Sequence, residues 1–93
     1  MAKIAKVVEG RIETTEVEAP SFEQCQEIVG GLVEVVRLAH GAVVLVNEDG
    51  IGLSLPAWEM RTYTETGWPR DIAICGNAVF LDRAEADKVL GAE

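Results

Sequence analysis

The middle of the chain, Gly31–Pro56 (GLVEVVRLAHGAVVLVNEDGIGLSLP), constrains the fold most. Leu32–Leu38 and Ala42–Val46 are short runs dense in β-branched residues, and Ile51–Leu55 alternates apolar with small side chains. His40-Gly41 separates the first two runs, and Asn47-Glu48-Asp49-Gly50 separates the second from the third. β-Branched side chains fit a pleated surface, so short runs punctuated in this way predict a three-stranded antiparallel meander. Ala42–Val46 is apolar throughout, which marks a central strand covered on both faces, by another part of this chain or by a second subunit. The Asn-x-x-Gly spacing predicts a type I turn closed by a left-handed glycine.

The flanking segments extend this pattern. Lys3–Glu9 and Ile12–Glu18 flank Gly10-Arg11 and predict an opening hairpin whose second, charge-rich strand lies at a sheet edge. Ala19-Pro20 ends that strand. Ser21-Phe22-Glu23-Gln24 is a capping box: the Ser21 hydroxyl accepts from the amide of residue 24, and the Gln24 side chain reaches back. Phe22, Cys25, Ile28 and Val29 follow helical spacing, and Gly30-Gly31 stops the helix. A helix this short must lie on a sheet.

Pro56–Arg70 reads as an irregular connection. It has room for a helical turn at Ala57–Arg61, or for an exposed edge strand where Thr62, Thr64 and Thr66 alternate with Tyr63 and Glu65. Asp71–Leu81 resumes as strand, with Gly76-Asn77 marking either a bulge or a tight turn between two strands. Asp82 and Glu85 open a short C-terminal helix that Gly91 ends. The fold class is therefore α+β: an antiparallel sheet of about five strands (N-terminal hairpin plus meander), one packed helix and a short C-terminal helix, in a single domain, 1–93.

The chain's 93 residues carry 8 basic against 16 acidic side chains, a net charge of −8. That balance disfavours broad contact with nucleic-acid phosphates, yet leaves room for a local basic pocket that takes a small anion. A thin core and long apolar strands favour a homo-oligomer, since a second copy covers an open sheet edge. No window approaches the roughly 20 apolar residues of a membrane span, and the start, MAKIAKVVEG, has only a short apolar run broken by Lys6. Cys25 and Cys75 lack metal or redox spacing and read as reduced, packed thiols. A cytoplasmic protein is the expectation.

Catalysis needs converging groups of tuned acidity. The single histidine, His40, sits in a turn. There is no nucleophile elbow, no phosphate-cradling glycine loop and no cluster of metal-ligand types. The residues predict no enzyme, no metal and no cofactor. Pro56–Arg70 instead collects three of the five aromatics, Trp58, Tyr63 and Trp68, together with Arg61 and Arg70. Aromatic rings stack on planar groups and arginine grips phosphate or carboxylate, so these five residues are the candidate ligand-binding set. The competing explanation is that the two tryptophans cap the open end of the core.

The order of segments resembles a family of small phage and mobile-element proteins that forms a domain of unknown function. The matching residues are Gly31–Val36, the turn after Leu38, Leu45–Gly50, Leu53–Pro56 and Ile74–Leu81. The sequence departs from that pattern across Trp58–Arg70 and at His40, where an acidic turn residue is more usual. The resemblance carries no functional residue. It implies a setting: an accessory protein of a phage or mobile element in a bacterial host cell. Together with the aromatic–arginine segment, it makes the first expectation an oligomeric binding protein that sequesters a small anionic ligand such as a nucleotide defence signal. The alternative is an acidic inhibitor, or nucleic-acid mimic, of a host protein, using Glu13, Glu16 and Glu18 with Glu23 and Glu27.

Overall fold

A computed structural model describes residues 2–18 and 20–91. Ala19, expected to end the second strand with Pro20, lies outside the described residues. The chain opens with β1 (Ala2–Val8) and β2 (Arg11–Val17), paired antiparallel from Ala2 opposite Val17 to Val8 opposite Arg11. Glu9 and Gly10, with φ of 50° and 77°, form the turn. Two successive left-handed residues match the strands' own twist, and this places the turn one residue earlier than Gly10-Arg11.

Helix α1 (Phe22–Val29) has the expected capping box, with the Gln24 amide donating to Ser21 Oγ at 3.2 Å and the Ser21 amide to Gln24 Oε1 at 2.9 Å. Gly30 ends it at φ 84°, a conformation that favours glycine. Then come β3 (Val33–Arg37), a tight 3-10 turn at Ala39–Gly41 and β4 (Val43–Asn47). The second half holds β5 (Ala57–Tyr63), β6 (Pro69–Cys75), β7 (Ala78–Leu81) and α2 (Arg83–Leu90). Asp82 and Glu85 box the start of α2 as expected.

The main sheet has five antiparallel strands in the order β2-β1-β7-β4-β3, so the protein is α+β with one packed helix and a short C-terminal one. Its fifth strand is β7, not Ile51–Leu55. The latter segment spends its backbone groups locally: the Leu53 amide donates to Asp49 O at 2.9 Å, Ser54 to Ile51 O at 3.0 Å and Leu55 to Gly50 O at 3.0 Å. A segment folded on itself in this way has no ladder of amides left for a neighbouring strand.

Two layers cover the sheet. The helix side buries Ala2, Ile4, Cys25, Val43, Leu45, Val79, Leu81, Ala86 and Val89. On the other side, β5 and β6 form a separate antiparallel hairpin, with a core of Ala5, Val44, Val46, Ile74 and Ala78. β4 is buried at all its positions, and its second cover is therefore this chain's own hairpin. Pro56–Arg70 is thus mostly regular, contrary to the irregular excursion expected: it contains all of β5 and the beginning of β6. Asp71–Leu81 resolves into two strands that belong to different sheets. The chain crosses between them at Gly76, whose φ is 90° and where an added Cβ would lie 2.9 Å from Leu55 Cδ1.

Two asparagines fasten α1 to the sheet. Asn47, only 5% exposed, donates from Nδ2 to Val29 O at 3.0 Å and accepts the Asp49 amide at Oδ1 at 2.7 Å. Asn77 donates to Ile28 O at 2.9 Å and accepts the Val7 amide at 3.0 Å. Each amide satisfies a carbonyl that the end of a helix leaves without a partner. The Asn47–Gly50 turn forms, with the Gly50 amide on Asn47 O at 3.2 Å, but Gly50 is not left-handed. Glycine is needed there for space, because a Cβ would come within 2.8 Å of Cys75 Cβ.

Candidate functional site

The strand pairing decides which of the five candidate residues meet. Partners across an antiparallel ladder share a face. Trp58–Ile74, Met60–Ile72 and Thr62–Arg70 are partners on the side that looks at the main sheet, while Arg61–Asp71 and Tyr63–Pro69 are partners on the outer side. Trp58 and Arg70 therefore share the inner side, and Trp68 lies just outside the ladder. Trp58 is half-buried near the root of the hairpin, with Nε1 donating to Gly76 O at 2.8 Å. Trp68 is 73% exposed at the tip, beside the three-residue turn closed by left-handed Gly67. Arg70 is exposed near that tip.

Arg61 and Tyr63 lie on the other side of the hairpin. Arg61 is already engaged: Nε donates to Asp71 Oδ1 at 3.0 Å and Nη2 to Oδ2 at 3.3 Å, a two-pronged pair in open solvent. The hydrogen bond to Asp71, and then its charge, hold the guanidinium above its already high ordinary range. The structure thus does not gather the five into one pocket. The two arginines stand on opposite sides of a two-stranded ribbon.

The inner side does make a cleft. The hairpin is two strands wide and the sheet beneath it five, so β1 and β2 are left partly uncovered. Between β5 and that uncovered margin lies an open cleft of about 270 Å³, lined by Lys3, Ala5, Thr14, Trp58, Met60 and Phe80. Lys3 and Ala5 alternate with buried Ala2 and Ile4 along β1, which sets them on the hairpin side; Thr14 stands opposite Ala5, and Phe80 opposite Lys3. The walls are an indole, a phenyl ring and a thioether. The polar groups are one ammonium and one hydroxyl. Lys3 makes no ion pair among the described residues.

Residues 2–91 match the model of a family described as Domain of unknown function (DUF3846). The chain belongs to that family. No curated protein and no solved structure matches it. Membership supplies no chemistry, so the site rests on geometry alone.

Of the cleft residues, only Trp58 had been singled out from the sequence. Lys3, Ala5, Thr14, Met60 and Phe80 were not. A signal for them existed in the alternation of both hairpins: Lys3 and Ala5 share a face of the opening strand, and Trp58, Met60 and Thr62 share a face of AWEMRTY. Among the described residues, no group of three or more His, Cys, Asp or Glu is placed to hold a metal ion. His40 is exposed in its turn. Cys25 is buried in the helix-side core, and that burial pushes its thiol up from the ordinary value. No helix of the described residues is long and apolar enough to cross a membrane.

Proposed function

We propose that this protein is a non-enzymatic binding module whose cleft holds a small ligand made of a flat apolar part and an anionic group. The observation that carries this reading is the cleft itself, with two aromatic side chains and a methionine in its walls and an unpaired ammonium among its lining residues. Ligand sites are commonly apolar concavities with a few convergent polar groups, from about 300 Å³ upward. A volume just below that range suits one ring system, with the charged portion lying over Lys3. A nucleotide has that composition: the base stacks on Trp58 or Phe80 and the phosphate meets the ammonium. Met60 fills the irregular space beside a planar guest.

Sequestration of a nucleotide signal by a phage or mobile-element protein in a bacterial cytoplasm is the biological form of this proposal. Its support is the resemblance to small mobile-element proteins. The acidic-inhibitor reading has the net charge behind it, but Glu13 and Glu16 are turned to opposite faces of β2, opposite Lys6 and Lys3 respectively, and so do not form one surface.

Isothermal titration of the protein against cyclic and linear nucleotides tests the proposal. The expected result is binding that is lost in Trp58→Ala and weakened about tenfold in Lys3→Ala, with Arg61→Ala unchanged. Absence of heat with every nucleotide, at protein concentrations in the hundreds of micromolar, overturns it.

A further inference from the structure

The charges around the cleft are few, and the strand register places each of them. Alternation along β1 sets Lys3 and Ala5 on the hairpin side, and their partners on β2 are Glu16 and Thr14. The next pair on that side, Val7 and Ile12, is apolar. Lys6 and Arg11, the other cations of β1 and β2, fall on the opposite side by the same alternation, as does Glu13, which stands opposite Lys6. From the hairpin, the cleft is lined by Trp58 and Met60, neither of them charged, while Glu59 and Arg61 are on the outer side of β5. Arg70 is an inner residue, but it belongs to β6, which lines no part of the cleft. One ammonium and one carboxylate thus stand side by side on neighbouring strands.

Cross-strand partners hold their Cβ atoms about 4.5–5.5 Å apart. Lys3 and Glu16 nevertheless form no ion pair among the described residues. The ammonium is open to a ligand, and the carboxylate keeps a negative field beside it. The molecule as a whole adds to that field, with a net charge of −8. A first negative charge on a ligand is met by Lys3. A second finds no further cation among the described lining residues and lies against Glu16.

We infer that the cleft selects a monoanion: a ring system bearing a single negative charge, as in a phosphodiester, over the same ring bearing a phosphomonoester or a polyphosphate. This rests on the ligand proposal above and narrows it. Sites that hold several phosphate charges gather many donors: a helix N-terminus, a nest of backbone amides or grouped arginines. None of these lines the cleft among the described residues, because its walls are strand side chains. Trp58 Nε1 is already engaged with Gly76 O at 2.8 Å. The Thr14 hydroxyl remains, a neutral group that orients one oxygen without adding charge.

Isothermal titration with four probes that share one base is the test: adenosine, cyclic AMP, AMP and ATP, at pH 7.5 and low salt. Cyclic AMP should bind about tenfold tighter than adenosine, with AMP and ATP several-fold weaker than cyclic AMP. AMP supplies its own control. Its phosphate loses the second proton at a pKa of roughly 6, so at pH 5.5 it is mostly a monoanion and its affinity should rise toward that of cyclic AMP. Glu16→Gln, at an exposed edge position, should strengthen AMP and ATP more than cyclic AMP. Lys3→Ala should erase the advantage of cyclic AMP over adenosine. AMP or ATP binding at least as tightly as cyclic AMP at pH 7.5, or cyclic AMP no tighter than adenosine, overturns the inference and leaves the cleft as a ligand site. Failure of all four probes to bind removes the ligand proposal, and this inference falls with it.

Discussion

The two sides of the main sheet do different work with similar materials. The helix side is closed: two helices with boxed ends lie on it, its core runs from Ala2 to Val89, and two asparagine amides fasten α1 down. The hairpin side is half closed. One ribbon covers β4 and its neighbours, and Trp58, Met60 and Phe80 are left half-buried along its margin. Stability is concentrated where burial is complete, and the open cleft lies where it is not.

That contrast can be broken by measurement. Leu45→Ala, at a fully buried position of the helix-side core, should lower the unfolding free energy by about 2–5 kcal/mol in urea titration. Asn47→Ala should cost about 1–3 kcal/mol, because it leaves the Val29 carbonyl and the Asp49 amide without their partner. Trp58→Ala should cost about 1–2 kcal/mol, less than a fully buried aromatic, since the ring keeps water on one side. A Trp58→Ala loss as large as that of Leu45→Ala would mean the hairpin side is sealed too, and the cleft would lose its standing.

The smallest effect concerns pH. Burial raises the Cys25 thiol above its ordinary value of 9.0, so the unfolded chain gives up this proton more readily than the folded one. Its contribution should be constant below pH 9 and turn against the native state as pH rises beyond it. Midpoints compared at pH 8 and pH 10 should show a drop that is reduced in Cys25→Ala; an equal drop in both proteins would assign it to other groups.

Much of the fold was legible because local chemistry marks local structure. The capping boxes at Ser21 and Asp82, the β-branched runs of β3 and β4 and the charged second strand each announced an element, and each formed. Ile51–Leu55 failed because alternation with small residues suits a strand and a coiled turn equally, and the hydrogen bonds went local. Of the alternatives that Pro56–Arg70 leaves open, the strand forms, but earlier than the alternation of Thr62, Thr64 and Thr66 marks it: β5 takes Ala57–Tyr63, where a helical turn at Ala57–Arg61 is the other expectation, because Trp58, Met60 and Thr62 alternate with Glu59, Arg61 and Tyr63. The site was less legible still. That Arg61 and Arg70 point to opposite sides follows from the register of one hairpin, and that Lys3 joins Trp58 follows from how two hairpins stack. Neither is written in any single segment.

β7 sits between β1 and β4, yet it comes after the other six strands of the described residues in chain order. A nascent chain halted before Ala78 can form both outer hairpins of the sheet but has nothing to join them, so closure must wait until Ala78–Leu81 has been made. Pairings between such distant parts of a chain are slow. Nonsense alleles that remove only the C-terminal portion should therefore abolish accumulation of the whole protein rather than leave a shortened, working version.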